Sequence, residues 1–458
     1  MFGKKVSLDK IVVLVIFSFL AITLITFFKS ALELEDAEQA YYSQWLRWGY
    51  DDQPPLYTWL QYGFNNIFGV GKLAFSSLRG ALFAGTLLLL YKFSGLRIKD
   101  ADKSKLAVLA LVLVPVYIDF TFRRLSHTSL LCFSVVASYY CIQVLIARKS
   151  IINYLLLGLF VGVGMMSKYN YIFFLVTFAL VVLWDKELRA IVFNPKILVS
   201  VFVSALIVAP HIYWLLGPGE FQTFLASSVE EKIGIEEAEF GFSFLPILIY
   251  LKGLFVLMFP FLVVLCFGYF SKYVSFNKLK FNWLVKMFFT QLMVLGLFFL
   301  IFQSKKIETR WLLPLFIPFV ILLTESVSFK NVQKSVAVGY WVFIGAIVIQ
   351  TIRTPIEKVF KIPSSVHFGF ESISRKLHQN YDDYQWVLPN VTYAGNLRLL
   401  HPERTILSAD DYSLTGLELQ YERTVEITID QSVVKQTTPV DSLIGFGKEK
   451  ENLYFYSN

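Results

Sequence analysis

Residues 33–59 are ELEDAEQAYYSQWLRWGYDDQPPLYTW, and they directly follow the first long apolar run of the chain. The segment begins with a cluster of carboxylates at the point where a membrane span would reach water. The part from Tyr41 to Tyr50 is rich in aromatic residues, which is typical of a helix lying in the membrane interface. Pro54 and Pro55 then break that helix, because proline lacks an amide hydrogen and restricts the residue before it. Carboxylates at the mouth of a membrane domain predict a site for chemistry on a molecule that the membrane supplies.

The composition is that of an integral membrane protein. Of the 458 residues, 56% are hydrophobic and only 17% are charged, whereas roughly 25% of the residues in a soluble domain are charged. A span needs about 20 residues, or fewer when aromatic residues flank it. The candidate spans are Ile11–Phe28, Leu73–Leu90, Leu106–Ile118, Ser129–Ile146, Leu155–Met166, Tyr171–Trp184, Ile197–Leu216, Phe242–Phe267, Trp283–Phe302, Trp311–Leu323 and Ala337–Ile352. The sequence therefore predicts a polytopic α-helical membrane protein with about eleven transmembrane helices.

The net charge of +8 would suit a nucleic-acid partner, but the distribution of the charge argues against one. Basic residues recur in every second loop, as in Lys4–Lys10, Arg97–Lys105, Arg148–Lys149, Lys186–Lys196, Lys272–Lys280 and Lys330–Lys334. This is the positive-inside pattern, and it predicts a cytoplasmic amino terminus. With eleven spans, the carboxyl-terminal region is then expected on the external side.

Two domains are predicted. Residues 1–352 form the membrane domain, whose first external loop, residues 29–72, carries interfacial helices. Residues 353–450 contain stretches of alternating polar and apolar residues between Gly, Asn and Asp turns, which predicts a small external domain of α/β or mostly-β type. Residues 451–458, ENLYFYSN, resemble a protease-site tag and are set apart as a candidate engineered remnant.

The first candidate constellation is the carboxylate cluster Glu33, Glu35, Asp36 and Glu38. Neighbouring like charges and partial burial raise the pKa of a carboxyl group. A carboxylate adjusted in this way can accept a proton from an attacking hydroxyl or amine. The alternative is a solvated acidic rim on an external loop.

The order of residues in this loop resembles the first external loop of GT-C glycosyltransferases. The similarity is to the branch that contains the dolichyl-phosphate-mannose protein mannosyltransferases and the bacterial aminoarabinose (lipid A) transferases. Those proteins carry Asp-Glu-Ala-x-Tyr, an aromatic helix, Gly-Tyr and Pro-Pro-Leu, and this chain carries Glu35-Asp-Ala-Glu-Gln, Gly49-Tyr and Gln53-Pro-Pro-Leu-Tyr. The resemblance implies a GT-C fold for most of the chain, with a small carboxyl-terminal periplasmic domain.

The resemblance also implies that an acidic residue of this loop is the catalytic base. Anchored on Gly49, Glu35 stands at the family's Asp and Asp36 at the family's Glu, so the order is reversed. Asp36 is the favoured base and Glu35 the second candidate. Further candidates for the cavity are Glu38, Tyr50 and Gln53.

A second constellation is DFTFRRLSHT at residues 119–128. His127 could serve as a further acid/base group or as a ligand of a divalent metal, and the alternative is a cap at a helix start. Arg123 suits a phosphate group, because guanidinium binds phosphate bidentately. Its alternative is an arginine that reaches to the membrane interface.

Two further motifs indicate contacts to the phosphate of a lipid donor. Lys168 and Tyr169 resemble the family's Ser/Thr-Lys-Tyr loop, and a lysine there is costly unless it is paired. Lys306 and Arg310 lie in a basic external cluster that runs against the positive-inside trend and resembles the family's Arg-Trp-x-x-Pro element. Ordinary anionic headgroups are the alternative partner of this cluster. His211 ends a span, where it either lines the cavity or has a structural role.

The resemblance implies an enzyme of the bacterial inner membrane with a periplasmic active site. No nucleotide is expected on the periplasmic side, so the expected donor is a polyprenyl-phosphate sugar. The sequence also has no GxxxxGK[ST] phosphate loop. The expected reaction is an inverting single displacement with a carboxylate base, which requires no cofactor and is compatible with a divalent metal. Lipid A or another glycolipid is the favoured acceptor, and glycans and proteins stay open. The alternatives are a protein O-glycosyltransferase of the same fold and a lipid or sugar transporter (flippase).

Overall fold

The computed structural model describes residues 9–50, 53–217, 243–304, 306–362, 364–411, 422–429, 439, 441–443 and 453–457. Every candidate residue named above for the base, the donor phosphate or the cavity lies inside these ranges. Asp51, Asp52 and Lys305, which belong to the quoted motifs, lie outside the described residues.

α-Helices form the membrane domain. They are α1 (Lys10–Phe28), α2 (Leu34–Tyr42), α3 (Leu56–Phe68), α4 (Lys72–Arg97), α5 (Ala101–Leu109), α6 (Pro115–Arg123), α7 (His127–Ala147), α8 (Ile151–Met165), α9 (Tyr171–Val182), α10 (Lys186–Val192), α11 (Ile197–Leu215), α12 (Leu245–Phe270), α13 (Trp283–Ile301), α14 (Thr309–Ser326) and α15 (Val332–Val359). Two short strands, β1 (Val274–Phe276) and β2 (Val327–Phe329), pair antiparallel. Side-chain caps mark several helix starts, as where Asp100 accepts hydrogen bonds from two amides of α5.

Seven helices of the described chain, α1, α4, α7, α11, α12, α13 and α15, are long and apolar enough to cross a membrane. The pair α5–α6 makes up to an eighth span, bent by 74° at a break before Pro115, whose ring removes an amide hydrogen. Three further apolar helical segments, Ile151–Met165, Tyr171–Val182 and Ile317–Ser326, are shorter than a straight span requires. Each predicted run overlaps one of these segments. The fold class is confirmed, with seven or eight spans by length where the sequence predicted about eleven.

Ion pairs mark the end of the bundle that carries the basic loops. Arg97 of α4 binds Glu325 of α14, with Nε 2.7 Å from Oε1. Lys286 of α13 lies 2.8 Å from Asp185, the residue that caps α10. These contacts join helices that are distant in sequence, and the candidate site residues gather at the opposite end.

The carboxyl-terminal domain has two helices, α16 (Phe370–Asn380) and α17 (Val391–Leu400), against one sheet. The strands are β3 (Tyr384–Leu388), β4 (Leu407–Ser408), β5 (Arg423–Thr428), β6 (Asp441–Leu443) and β7 (Leu453–Ser457), in the spatial order β4-β3-β5-β7-β6. β3 runs parallel to β4 and β5, whereas β7 is antiparallel to β5 and β6. The predicted α/β character of this region is confirmed.

The structure moves two of the predicted boundaries. α15 continues to Val359, so the membrane domain's last helix passes residue 352 without a break. Residues 453–457 form the inner strand β7, and the side chains of Leu453 and Phe455 are fully buried. Residues 453–457 therefore pack into the sheet of the carboxyl-terminal domain, while the resemblance of residues 451–458 to a protease site stays a prediction.

The carboxyl-terminal domain binds the residues on either side of α2 through paired hydrogen bonds. The Asn396 amide accepts from the main-chain nitrogen of Leu32 at 2.7 Å and donates to its carbonyl at 3.1 Å. The Gln44 amide bonds the main chain of Ile406 in the same two-way manner, at 3.0 and 2.9 Å. Gly395 lets α17 approach so closely that a Cβ atom there would lie 1.9 Å from the carbonyl oxygen of Ala37. The helix that carries the carboxylates is thus held by both domains.

Candidate active site

The side chain of Glu35, a residue of α2, is held by Ser126 at the start of helix α7. One carboxylate oxygen accepts hydrogen bonds from the main-chain nitrogen and the hydroxyl of Ser126, at 2.7 and 3.0 Å. The other lies 2.6 Å from a guanidinium nitrogen of Arg310. Burial alone would raise the pKa of Glu35, but the charges of Arg310 and Lys168 and the Ser126 bonds outweigh it and hold the pKa below its usual value. Glu35 is therefore a carboxylate at neutral pH.

Asp36, the favoured base in the sequence, turns the other way. Both of its carboxylate oxygens lie within 2.7 Å of the same guanidinium nitrogen of Arg79, on α4. The second terminal nitrogen of Arg79 donates to the hydroxyl of Thr26 on α1 at 2.7 Å. The Asp36 side chain is only 3% exposed, and Asp36 does not line the large cavity described below. The structure thus places Asp36 outside the cavity lining, although the sequence favoured it as the base.

A second buried ion cluster holds Glu33 and Arg123. Glu33 lies 2.9 Å from Arg123 and 3.2 Å from Lys29, whose ammonium group also donates to the carbonyl of Arg123. Arg123 lies 4.0 Å from Glu357 of α15. These partners hold Arg123 between helices, and it is not among the residues that line the cavity, although the sequence predicted that it meets a donor phosphate.

Lys168 lies in the turn between α8 and α9 and is half-buried. Its ammonium group donates to the hydroxyl of Thr128 at 3.2 Å, and no carboxylate among the described residues forms an ion pair with it. Burial lowers the pKa of Lys168, and Glu35 is the largest opposing influence. The ammonium group thus lies near Glu35 without forming an ion pair with it.

His127 and His211 flank the same turn. His127 lies within hydrogen-bond distance of the Gln39 side chain (3.0 Å) and of the Ser167 carbonyl (3.1 Å). His211 lies 3.0 Å from the Tyr169 hydroxyl and 2.9 Å from the Trp48 carbonyl. His127 lines the cavity, whereas His211 stands behind Tyr169 and does not.

Arg310 continues the charged wall at the start of α14. It forms ion pairs with Glu35 and Glu308, and Glu308 lies 3.6 Å from the Lys306 ammonium group. The Lys306 side chain is 63% exposed, so it can follow a charged ligand. The predicted basic cluster therefore meets the predicted carboxylate loop in space.

One cavity of about 760 Å³ joins these groups. Its polar wall holds eight of the twelve predicted site residues: Glu35, Glu38, Gln53, His127, Lys168, Tyr169, Lys306 and Arg310. Its apolar wall comes from α9 and α13, with Ile172, Phe173, Val176, Val294, Leu295, Leu297, Phe298, Phe299, Ile301 and Phe302. The cavity can hold an anionic head group on one side and a hydrocarbon chain on the other.

A small polar chamber of about 10 Å³ lies beside the cavity, which is about the space of one water molecule. Glu38, Gln53 and His127 line both spaces, and Tyr50 lines only the chamber. The Tyr50 hydroxyl donates to the carbonyl of Trp45 at 2.6 Å. Tyr50 therefore shapes the aromatic loop and does not face the cavity.

Within the described residues, no group of three or more His, Cys, Asp and Glu side chains could hold a metal ion. Both ring nitrogens of His127 already have protein partners.

Sequence reasoning missed Arg79 and Ser126. Arg79 had a signal, since it is the only charged residue in the apolar run Leu73–Leu90 and an intramembrane charge needs a partner. Ser126 had none, because its contact to Glu35 joins positions 91 residues apart.

Comparison with known proteins finds relatives by sequence over part of the chain and by fold over nearly all of it. Residues 52–214 match the family described as dolichyl-phosphate-mannose-protein mannosyltransferase. Two curated relatives come from Rhizobium johnstonii and are the lipopolysaccharide core galacturonosyltransferases RgtA and RgtB. The chain is 35% identical to RgtA over 191 residues and 32% identical to RgtB over 193 residues. The matched segments are 41% and 42% of this chain and span only 38% and 39% of the relatives' lengths.

The fold extends beyond the matched segment. The structure of ArnT from Cupriavidus metallidurans bound to undecaprenyl phosphate superposes with a TM-score of 0.62, covers 97% of both chains and is 14% identical. The apo state of the same protein gives a TM-score of 0.60 with the same coverage. The resemblance to GT-C glycosyltransferases is thereby confirmed: the chain is a membrane protein with the GT-C fold, and its residues 52–214 are similar to the protein mannosyltransferase family.

Proposed function

We propose that the protein is a membrane glycosyltransferase that moves a sugar from a polyprenyl-phosphate donor to an acceptor at the external face of the membrane. One observation carries the proposal: Glu35, Lys168 and Arg310 line a single cavity whose other wall is apolar. Such a cavity suits a phosphate at the cations and an isoprenoid chain along α9 and α13. The likeness in fold to a protein solved with undecaprenyl phosphate supports this class of donor.

Lipopolysaccharide or another glycolipid is the favoured acceptor. Two relatives that are 35% and 32% identical to part of the chain are lipopolysaccharide core galacturonosyltransferases, which supports this choice. A protein acceptor is the second candidate, because the family matched by residues 52–214 is described as protein mannosyltransferases.

Glu35 is the proposed base, in place of Asp36. It lines the cavity as a carboxylate and is held by Ser126 and Arg310. In the proposed step, an acceptor hydroxyl gives its proton to Glu35 while its oxygen attacks the anomeric carbon. The bond from that carbon to the phosphate oxygen breaks, and polyprenyl phosphate leaves with the electron pair. A single displacement of this kind inverts the anomeric carbon and needs no cofactor.

Lys168 and Arg310 stabilise the negative charge of the leaving phosphate, with Lys306 and Tyr169 beside them at the cavity wall. Preorganised cations act strongly here because they need not reorient during the reaction. Protonation of Glu35 also weakens its ion pair with Arg310. The guanidinium group of Arg310 can then turn to the phosphate as the phosphate gains negative charge. Proton transfer to Glu35 is thereby coupled to the departure of polyprenyl phosphate.

The proposed location is the bacterial inner membrane, with the amino terminus in the cytoplasm and the cavity at the periplasmic side. The distribution of basic loops supports this orientation, because Arg97, Lys103 and Lys286 lie at the end of the bundle opposite to Glu35. A periplasmic cavity meets no nucleotide sugars, so a lipid-linked donor fits the location.

Mass spectrometry of lipid A and other envelope glycolipids tests the proposal, in cells that carry the wild-type chain, Glu35→Gln or Asp36→Asn. The expected result is a glycolipid that loses a sugar-sized mass with Glu35→Gln. Loss of a sugar from envelope proteins instead would select the protein acceptor. Movement of the lipid across vesicles by the purified protein, with no sugar transferred, would overturn the enzyme in favour of a transporter.

A further inference from the structure

The turn that carries Lys168 is held from both sides by histidine side chains. His127, the first residue of α7, bonds the carbonyl of Ser167 on one side. His211, near the end of α11, bonds the hydroxyl of Tyr169 on the other. Both histidines are buried, at 6% and 3% exposed. The two bonds go to Ser167 and Tyr169, the residues immediately before and after Lys168.

The tautomer of His127 follows from its partners. A carbonyl oxygen can only accept, so the Nδ1 atom of His127 carries a hydrogen and donates it to Ser167. The Nε2 atom then accepts from the Gln39 amide at 3.0 Å. The Gln39 oxygen in turn accepts from the hydroxyl of Thr58 at 2.9 Å. The chain of bonds joins α3, α2 and α7 to the Lys168 turn.

His211 repeats the arrangement. Its Nδ1 atom donates to the carbonyl of Trp48 at 2.9 Å, so its Nε2 atom accepts from the hydroxyl of Tyr169. The rings of His211 and Tyr169 stack, with centroids 5.9 Å apart. The turn is thereby connected to the aromatic loop that follows α2.

Lysine has four rotatable bonds and a single compact charge, so its position depends on the backbone that carries it. The only side-chain hydrogen bond described for the Lys168 ammonium group is to Thr128, beside His127. We infer that His127 and His211 are positioning residues, which act as neutral hydrogen-bonding groups to fix the Lys168 turn at the proposed donor phosphate. The inference rests on the proposed function for the identity of the ligand, and it assigns neither histidine to proton transfer nor to a metal.

A double-mutant cycle tests the inference, with undecaprenyl phosphate as the probe and its dissociation constant for the purified full chain as the readout. Tyr169→Phe removes only the hydroxyl that donates a hydrogen bond to His211. This change is expected to weaken the binding of undecaprenyl phosphate about fivefold. In a Lys168→Met background the same change is expected to weaken binding by less than about twofold, because the effect passes through Lys168.

The matched control is Tyr154→Phe, which removes another tyrosine hydroxyl with one bond, to the carbonyl of Ile191 at 2.9 Å. Tyr154 lies on α8 away from the cavity lining, so its loss is expected to leave the dissociation constant unchanged. For His127, Asn keeps a donor near Ser167 and Leu does not, so His127→Leu is expected to weaken binding more than His127→Asn.

Two results overturn the inference in distinguishable ways. If Lys168→Met weakens binding but Tyr169→Phe has the same effect in both backgrounds, the histidines do not act through Lys168, and the proposed donor site stands. If Lys168→Met leaves the dissociation constant unchanged, the assignment of the phosphate to Lys168 fails as well. Thermal unfolding of each variant identifies those that have simply lost their fold.

Discussion

Asp36 and Arg79 form a buried ion pair between α2 and α4, in which one guanidinium nitrogen lies within 2.7 Å of both carboxylate oxygens. Each side chain is at most 3% exposed. Removing one partner of such a pair leaves an unpaired buried charge, whereas replacing both with apolar residues of similar size is often tolerated. The pair therefore connects the carboxylate helix to the membrane bundle and leaves Glu35 for the cavity.

We expect Asp36→Leu or Arg79→Met alone to lower the free energy of unfolding by about 3–5 kcal/mol. The double variant is expected to recover stability and to keep transferase activity. Thermal unfolding in detergent and an in vitro transfer assay measure the two effects. The control is Asp119→Ala, since Asp119 pairs with Arg353 on the surface, where a pair contributes about 1 kcal/mol at most. A stable but inactive double variant would return the role of base to Asp36.

The acid side of the pH–rate profile reports on Glu35. Its pKa lies below the ordinary 4.5 because Arg310, Lys168 and Ser126 together outweigh burial, so activity is expected to persist to below pH 4.5. The same carboxylate stabilises the fold above pH 4.5, and this contribution is lost as the pH falls through the lowered pKa. Arg310→Leu removes a cation and is expected to move the acid limb of the residual activity upward. An unmoved limb would argue that Glu35 is not the titrating base.

The alkaline side reports on Lys168. Burial lowers its pKa below the ordinary 10.5, so the ammonium group loses its proton, and its attraction for phosphate, at a pH below 10.5. Lys168→Arg is expected to reduce the rate and also to remove this alkaline limb, because guanidinium stays protonated. Steady-state rates between about pH 8 and pH 11 provide the measurement. An alkaline limb that persists in the arginine variant would point to another group.

Gly395 is expected to be essential for docking the carboxyl-terminal domain. A Cβ atom there would lie 1.9 Å from the Ala37 carbonyl oxygen, so Gly395→Ala forces α17 away from α2 and is expected to reduce both stability and activity. Gly345→Ala on α15 is the control, because a Cβ atom there meets nothing within 4 Å and alanine favours the helix by about 1 kcal/mol. Limited proteolysis near residues 360–370 follows the docking, and equal protection of both variants would contradict the prediction.

Phe298 tests the apolar wall. Its ring packs 4.8 Å from that of Phe173 in the cavity lining, so Phe298→Ala is expected to raise the KM for a long-chain donor. A donor with a short, water-soluble chain is expected to show little change, because it does not reach the wall. Phe255→Ala is the control, since Phe255 is exposed on α12 outside the cavity lining. Equal losses with both donors would place the lipid elsewhere.

Much of the site could be predicted because its signals are local. The basic cluster around Arg310, the lysine turn at Lys168 and the carboxylates of α2 are each short motifs, and eight of the twelve residues selected from them meet at the cavity. Arg123 and His211 were expected in or near it for their chemistry. Their partners, Glu33 and Tyr169, hold them just outside the cavity lining.

The amino-acid sequence by itself determined the membrane helices, the charged ends of the bundle and the carboxylate loop, because hydrophobic runs and charge patterns are properties of contiguous residues. Only the tertiary structure decided which carboxylate faces the cavity. Glu35 and Asp36 are neighbours on one helix, and a helix turns by about 100° per residue. Asp36 meets an arginine 43 residues away, and Glu35 meets one 275 residues away. Those long-range pairs set the rotation of α2, and nothing within the loop itself specifies them.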